Sequence, residues 1–272
     1  MRLINRRPDR TGCLVLASLP FVVAVAVYAA ASAARLALNP NDKLLPSFAG
    51  LADAVMRMGF MADPRTGNIL LLLDTTASLG RLFSALGITV AITLVLGMLI
   101  GLLPLLRAGL APFLGVVSMV PPLALLPILF IVMGLGEGSK IALIAIGITP
   151  FLTRDLAARV GELPREQIVK AETLGASTWQ IALRVVLPQI LPRLIDSVRL
   201  SLGPAWLFLI AAEAIASESG LGYRIFLVRR YLAMDVILPY VAWITLLAAL
   251  MDLLLLRARR VLFPWFVPVR PA

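Results

Sequence analysis

Long uncharged apolar runs alternate with short polar breaks along this chain. Cys13 to Ala34 runs 22 residues without a charge, and Leu82 to Leu106 runs 25. A helix rises about 1.5 Å per residue, so ~20 apolar residues cross roughly 30 Å of hydrocarbon. Both runs are long enough. The breaks predict six spans, at about Cys13–Ala34, Leu82–Leu106, Leu110–Met133, Ile141–Leu152, Ile195–Ala216 and Val236–Leu256. The fourth reaches spanning length only by extending through Lys140 or Arg154. Two polar segments interrupt the series: residues 35–75, with a short helix expected around Ala49–Gly59, and residues 154–193. The expected fold is all-α, a polytopic membrane helical bundle forming one domain over residues 1–272.

Composition agrees. The chain is 60% hydrophobic and 15% charged, against ~45–50% and ~25% for soluble domains. A net charge of +10 would suggest nucleic acid in a soluble protein, but here it follows membrane topology. With the N-terminus inside, the inner segments hold sixteen Lys and Arg (Arg2, Arg6, Arg7 and Arg10, Arg107, seven from Arg154 to Arg199, and four after Leu256). The outer segments hold eight, Arg65 among them. The bias predicts cytoplasmic termini, a periplasmic 35–75 insert and a cytoplasmic 154–193 segment. The first run resembles a signal peptide but is too long for its apolar core, so it reads as a retained anchor. The single cysteine, Cys13, leaves no disulfide framework. The absence of histidine rules out a Ser–His catalytic pair and removes the commonest metal ligand. No catalytic residue, metal site or enzyme activity is therefore expected.

The informative stretch is Leu163 to Pro188. Pro164 suits a first helical turn and Gly175 the position just past a helix end. Ser177 with Gln180 forms a capping-box pattern, and Pro188 is expected to close the second helix. Ile168, Val169, Ala171 and Leu174, then Trp179, Ile181, Ala182, Val185 and Val186, make both helices amphipathic. Such a pair suits a protein partner or a membrane surface.

These residues resemble the cytoplasmic loop of binding-protein-dependent ABC importer permeases: Glu-Ala-Ala, three residues, Gly, nine residues, Ile-x-Leu-Pro. Gly175, Leu187 and Pro188 fall in register, Val185 replaces isoleucine, and the opening triplet falls on Val169-Lys170-Ala171. Leu44–Ser47, Val120–Pro127, Gly134–Lys140 and Ala205–Gly222 extend the likeness to the nitrate, sulfonate and taurine branch of type I permeases. The resemblance implies a pore of two permease copies in the inner membrane, two ATPase subunits beneath it and a periplasmic solute-binding protein above. No nucleic acid is implied. Ala171, Leu174, Gly175, Ala176, Ser177, Val185, Leu187 and Pro188 would couple to the ATPase. The chain has no phosphate loop, since Gly136-Glu-Gly-Ser-Lys140 has the wrong order. ATP and Mg would be bound by the partner ATPase, and this chain would carry no cofactor.

If two copies form the pore, the third and fifth spans would line the translocation pathway with Ser118, Met119, Pro122, Trp206 and Glu213. The Pro121-Pro122 pair frees backbone groups that only protein or water can satisfy. Glu213, an acid inside an apolar run, is either a gate residue or a structural acid bonded to backbone or Tyr223. Two copies of Glu213 would repel an anion. The expected solute is therefore small and polar, either nitrate-, sulfonate- or taurine-like or a small nitrogen compound. A secondary transporter or channel without an ATPase is the alternative. Gly97-x-x-x-Gly101 permits close helix packing, and Asp252 is expected to pair with Arg257 at the inner interface.

Overall fold

The computed structural model describes residues 9–40, 42–64 and 67–266. Arg2, Arg6, Arg7, Arg65 and Arg270 of the charge count lie outside these residues. The helices are α1 (Arg10–Leu38), α2 (Phe48–Gly59), α3 (Leu70–Leu102), α4 (Pro104–Val117), α5 (Leu126–Met133), α6 (Glu137–Gly161), α7 (Arg165–Thr173), α8 (Thr178–Gln180), α9 (Leu187–Ala216), α10 (Leu221–Arg229) and α11 (Met234–Leu262). Only an isolated bridge, Ala62 with Ile69, stands outside the helical pattern among the described residues.

Five helices are long and apolar enough to cross a membrane, or six if the bent pair α4–α5 is one span. That pair bends by 81°. Pro121 and Pro122 have no N–H to donate to the preceding turn, so the helix stops at Val117 and resumes through a 3₁₀ turn at Pro122–Leu125. The expected irregularity of Ser118–Pro122 is therefore real. The span ends differ from expectation in several places. Helix α3 begins at Leu70 rather than Leu82 and takes in Asp74 and Arg81, and α6 runs through both Lys140 and Arg154. Pro188 closes no helix: the rod runs on from Thr178 to Ala216 through a π turn at Ile181–Val186. There the Leu187 N–H donates to Ala182 O, five residues back. This wider ring shifts the bonding register just before Pro188, whose N–H is missing anyway.

The chain divides into two compact units, one of Met1–Ile69 with Val228–Tyr240 and one of Leu70–Leu227 with Val241–Ala272. In the first, Tyr28 Oη donates to Pro46 O at 2.7 Å and Ser32 Oγ to Leu45 O at 3.0 Å, fastening α1 to the turn before α2. Ser47 caps α2 by accepting from the Gly50 N–H. Arg57 pairs with Asp235 at 3.2 Å.

The second unit is built on α6, which packs against both α3 and α9. Leu82, Ile144, Ile148, Leu152 and Leu209 fill its core. Gly97 and Gly101 are where α3 meets α6. A Cβ at Gly97 would lie 2.9 Å from Leu156 Cδ2, and one at Gly101 would lie 2.4 Å from Val160 Cβ. The small-residue pair thus sets the helix separation. Gly101→Ala is expected to destabilise the bundle by about 1–3 kcal/mol, as overpacking does, with partial recovery in Gly101→Ala/Val160→Ala. Melting of the purified variants in detergent measures this, and an unchanged midpoint for Gly101→Ala would refute the close contact. Asp252 does not pair with Arg257. It accepts both prongs of Arg199 from α9, at 2.8 and 2.9 Å, whereas Arg257, five residues on, points to a different face of the helix.

Candidate functional site

The segment expected to couple is a helix, a tight reversal and a second helix start. At the end of α7 the Gly175 N–H donates to Glu172 O and the Ala176 N–H to Ala171 O, at 2.9 and 3.0 Å. With Gly175 at φ +80°, this is the Schellman arrangement that lets a helix stop without stranding its carbonyls. Ser177 then restarts the chain. Its Oγ accepts from the Gln180 N–H at 3.3 Å, and its own N–H donates to Gln180 Oε1 at 2.8 Å. The Gln189 side chain donates to Gln167 Oε1 at 2.9 Å, tying α7 to the start of α9.

The apolar residues of this pair divide into two sets. Ile181, Ala182 and Val186 are buried against the chain's own bundle, with Val185, Leu187 and Pro188 half-buried. Leu174 and Trp179 remain 81% and 67% exposed, and Val169 is exposed beside them. Only this second set is left for something outside the chain. Trp179 also borders an apolar cavity of about 450 Å³ with Leu94, Met98, Leu102 and Leu183.

The expected pathway residues separate as well. Ser118 and Pro122 line a cavity of about 190 Å³ at the α4–α5 break, closed on the α6 side by Ile146, Gly147, Pro150 and Phe151. Met119 stands 78% exposed near it. Gly147 leaves room for its neighbours, since a Cβ there would lie 2.6 Å from the Phe208 ring of α9 and 3.1 Å from Pro122. Ser118 Oγ donates to Gly115 O at 2.9 Å and accepts from Arg154 Nη1 at 2.6 Å. Trp206 and Glu213 are buried within the protomer. The Trp206 indole N–H has no partner among the described residues.

Glu213 sits in a charge cluster at the end of the bundle away from α7. One oxygen accepts from Ser78 Oγ at 2.8 Å and from Arg81 Nη1 at 2.6 Å; the other accepts from the Gly222 N–H at 2.8 Å. Backbone, Ser78 and Arg81 are its partners rather than Tyr223. Arg81 also donates to Ser219 O at 2.8 Å and grips Glu137, which in turn holds Lys140 at 2.8 Å. Beside them Asp74 accepts from the Gly220 N–H at 3.0 Å and pairs with Arg224 at 2.8 Å. The loop Ser219–Gly222 wraps directly over the carboxylate. Gly220 has φ +129°, and a Cβ there would fall 2.5 Å from the Glu213 carboxyl carbon. Each charge in this low-dielectric end has an opposite partner and hydrogen bonds, without which burial would be prohibitive.

Residues 93–267 match the family described as the binding-protein-dependent transport system inner membrane component. The chain belongs to that family. It is 39% identical to the taurine transport system permease protein TauC of Escherichia coli (strain K12), over 70% of this chain and 69% of that protein. It is also 30% identical to the bicarbonate transport system permease protein CmpB of Synechocystis sp. (strain ATCC 27184 / PCC 6803 / Kazusa), over 66% of this chain and 70% of that one. A permease chain of the MetNI methionine ABC transporter, solved in inward-facing conformations, superposes with a TM-score of 0.64. At 22% identity, covering 74% of this chain and 99% of that one, the likeness establishes the fold.

This ABC permease is thus a multi-pass membrane protein of the type I importer class, with relatives that carry taurine and bicarbonate in their names. Sequence reasoning missed Asp74, Ser78, Arg81, Glu137, Lys140, Arg224 and Arg154 as site residues. A search for charge-free runs discards them by construction. A signal was nonetheless present: Asp74, Ser78 and Arg81 recur at i, i+4 and i+7, which puts the two charges of α3 and a hydroxyl on one stripe.

Proposed function

We propose that this chain is the membrane-spanning subunit of an ATP-driven importer for a small oxyanion of sulfonate or carboxylate type. Two copies form the pore, two ATPase subunits bind ATP and Mg beneath it, and a periplasmic binding protein delivers the solute. The observation that carries the reading is the α7–Gly175–Ser177 element. A permease that leaves Leu174 and Trp179 outside its own core, on a reversal fixed by local hydrogen bonds, presents a rigid apolar knob to a partner. Closure of the ATPase pair would push that knob and swing the helix it starts, Thr178–Ala216, as a lever. The enclosed Glu213–Arg81 pair supports an anionic solute, since the carboxylate that would repel one is neutralised inside the protomer. Ser118 and Pro122 remain pathway candidates at the cavity, and the exposed Met119 is a candidate contact for the second copy.

The complex purified with its ATPase subunits in lipid nanodiscs tests this. ATP hydrolysis should rise when solute-loaded binding protein is added, and orthovanadate should abolish uptake in cells. Uptake that survives vanadate but collapses with a proton uncoupler would instead favour the secondary transporter. The same reading places residues 35–75 outside and 154–193 inside, with both termini inside. On a Cys13→Ser background, Met61→Cys is expected to react with an impermeant maleimide in intact cells, and Ser177→Cys only after lysis. Labelling of Ser177→Cys from outside would reverse the topology. Thr66, in the same 35–75 insert, lies outside the described residues.

A further inference from the structure

The cluster around Glu213 satisfies its own charges; the face between α4 and α6 does not. Arg154 lies toward the inner end of a spanning helix, seven residues, or about 10 Å along the axis at 1.5 Å per residue, before the helix ends at Gly161. It is exposed within the protomer, and its one side-chain hydrogen bond among the described residues goes to a hydroxyl, Ser118 Oγ. Its sequence neighbour Asp155 is occupied elsewhere, by Ser197 of α9 and by Arg159. An exposed guanidinium at this end of a span faces water, lipid headgroups or protein rather than hydrocarbon. The structure shows what lies beside it. Ser118 lines the 190 Å³ cavity, and Gly147, Pro150 and Arg154 follow one another along a single stripe of α6. Seven residues further on that stripe, Arg107 of α4 rests against Gly161, its guanidinium nitrogens 3.3 Å from where a Cβ would be. No carboxylate among the described residues pairs with Arg107.

We infer that Arg154, steadied by Ser118, is the anion-selecting residue of the pathway, and that the cavity at the α4–α5 break is a station for a small oxyanion. Arg107 continues the positive lane toward the end that bears α7. A planar, permanently charged fork suits the oxygens of a sulfonate or carboxylate group, and the serine hydroxyl supplies a further donor once the anion displaces it from the guanidinium. A structural tie across the helix break would need neither a full charge nor an adjoining cavity. The inference rests on the permease reading for its place in transport, but its electrostatics can be measured without transport.

Val120 lines the cavity and is partly exposed, so Val120→Cys on a Cys13→Ser background reports the local potential in the purified full-length permease. The probes are two thiosulfonates of similar size, one ending in a sulfonate and one in a trimethylammonium. Their rate ratio cancels any effect of Arg154 on the thiol itself. Relative to the same ratio at exposed Met61→Cys, the anionic reagent should be favoured about tenfold. That preference should vanish in Arg154→Gln, persist in Arg154→Lys, and persist in Ser118→Ala, which breaks the tie but keeps the charge. If Arg154→Gln does not fold, raising the salt concentration with Arg154 intact should erode the preference in its place. A ratio near one, a ratio indifferent to both salt and Arg154→Gln, or a cysteine inert to both reagents would overturn the inference. So would a loss of preference in Ser118→Ala equal to that in Arg154→Gln. Charge preference without vanadate-sensitive uptake would remove the permease reading and leave the anion station; uptake without charge preference would do the reverse.

Discussion

Gly175→Val is expected to yield a folded, membrane-inserted permease whose partner ATPase no longer responds to loaded binding protein. The cost is conformational rather than steric. No atom lies within 4 Å of a Cβ placed at Gly175, yet the residue sits at φ +80°. There an ordinary side chain costs ~1–2 kcal/mol and a β-branched one more. A penalty of 1–2 kcal/mol shifts an equilibrium by about 5–30-fold, so the Schellman reversal would give way to other loop geometries. Leu174 and Trp179 would lose their fixed presentation, while the buried Ile181, Ala182 and Val186 would keep α9 in place. Gly175→Asn is the control, because asparagine tolerates the left-handed region, and it should keep most of the stimulation. ATPase rates with and without loaded binding protein in nanodiscs provide the measurement. Full stimulation in Gly175→Val would remove this bend from the coupling path.

Glu213→Ala should be the most damaging single substitution in the bundle. It leaves Arg81 buried with only Glu137 and Ser219 O, and removes the acceptor of the Ser78 hydroxyl proton and of the Gly222 N–H. Breaking one side of a buried ion pair costs about 3–5 kcal/mol, a large share of the stability of any domain. Glu213→Gln keeps the shape and two of the neutral hydrogen bonds, so it should fall between Ala and the parent. Glu213→Gln/Arg81→Met should recover stability relative to Glu213→Gln alone, since no unpaired charge is left behind. Gly220→Ala should reproduce much of the Glu213→Ala effect without altering any charge, because its Cβ would press on the carboxylate at 2.5 Å. Melting midpoints in detergent rank the four variants. Uptake per folded transporter then separates structure from pathway. Glu213→Gln that folds as the parent does but transports poorly would return this carboxylate to the pathway.

Short-range chemistry was legible in the sequence. Apolar run length gave the number of spans, because crossing hydrocarbon requires a minimum helix length whatever the neighbours are. Pro121-Pro122 gave the break in the third span, and Gly175 with Ser177 and Gln180 gave the reversal and restart. Each of these is set by backbone hydrogen bonds among residues only a few positions apart. The tertiary structure decided whatever depended on distant partners. Asp74 and Arg81 can lie inside α3 because Arg224 and Glu213, far along the chain, neutralise them. Gly97 and Gly101 acquire a role only because Leu156 and Val160 face them, and Asp252 meets Arg199 rather than Arg257 for the same reason. Pro188 continues a helix because a π turn precedes it. Charge, size and a missing N–H are properties of the residue; whether each is tolerated depends on what the fold places opposite it.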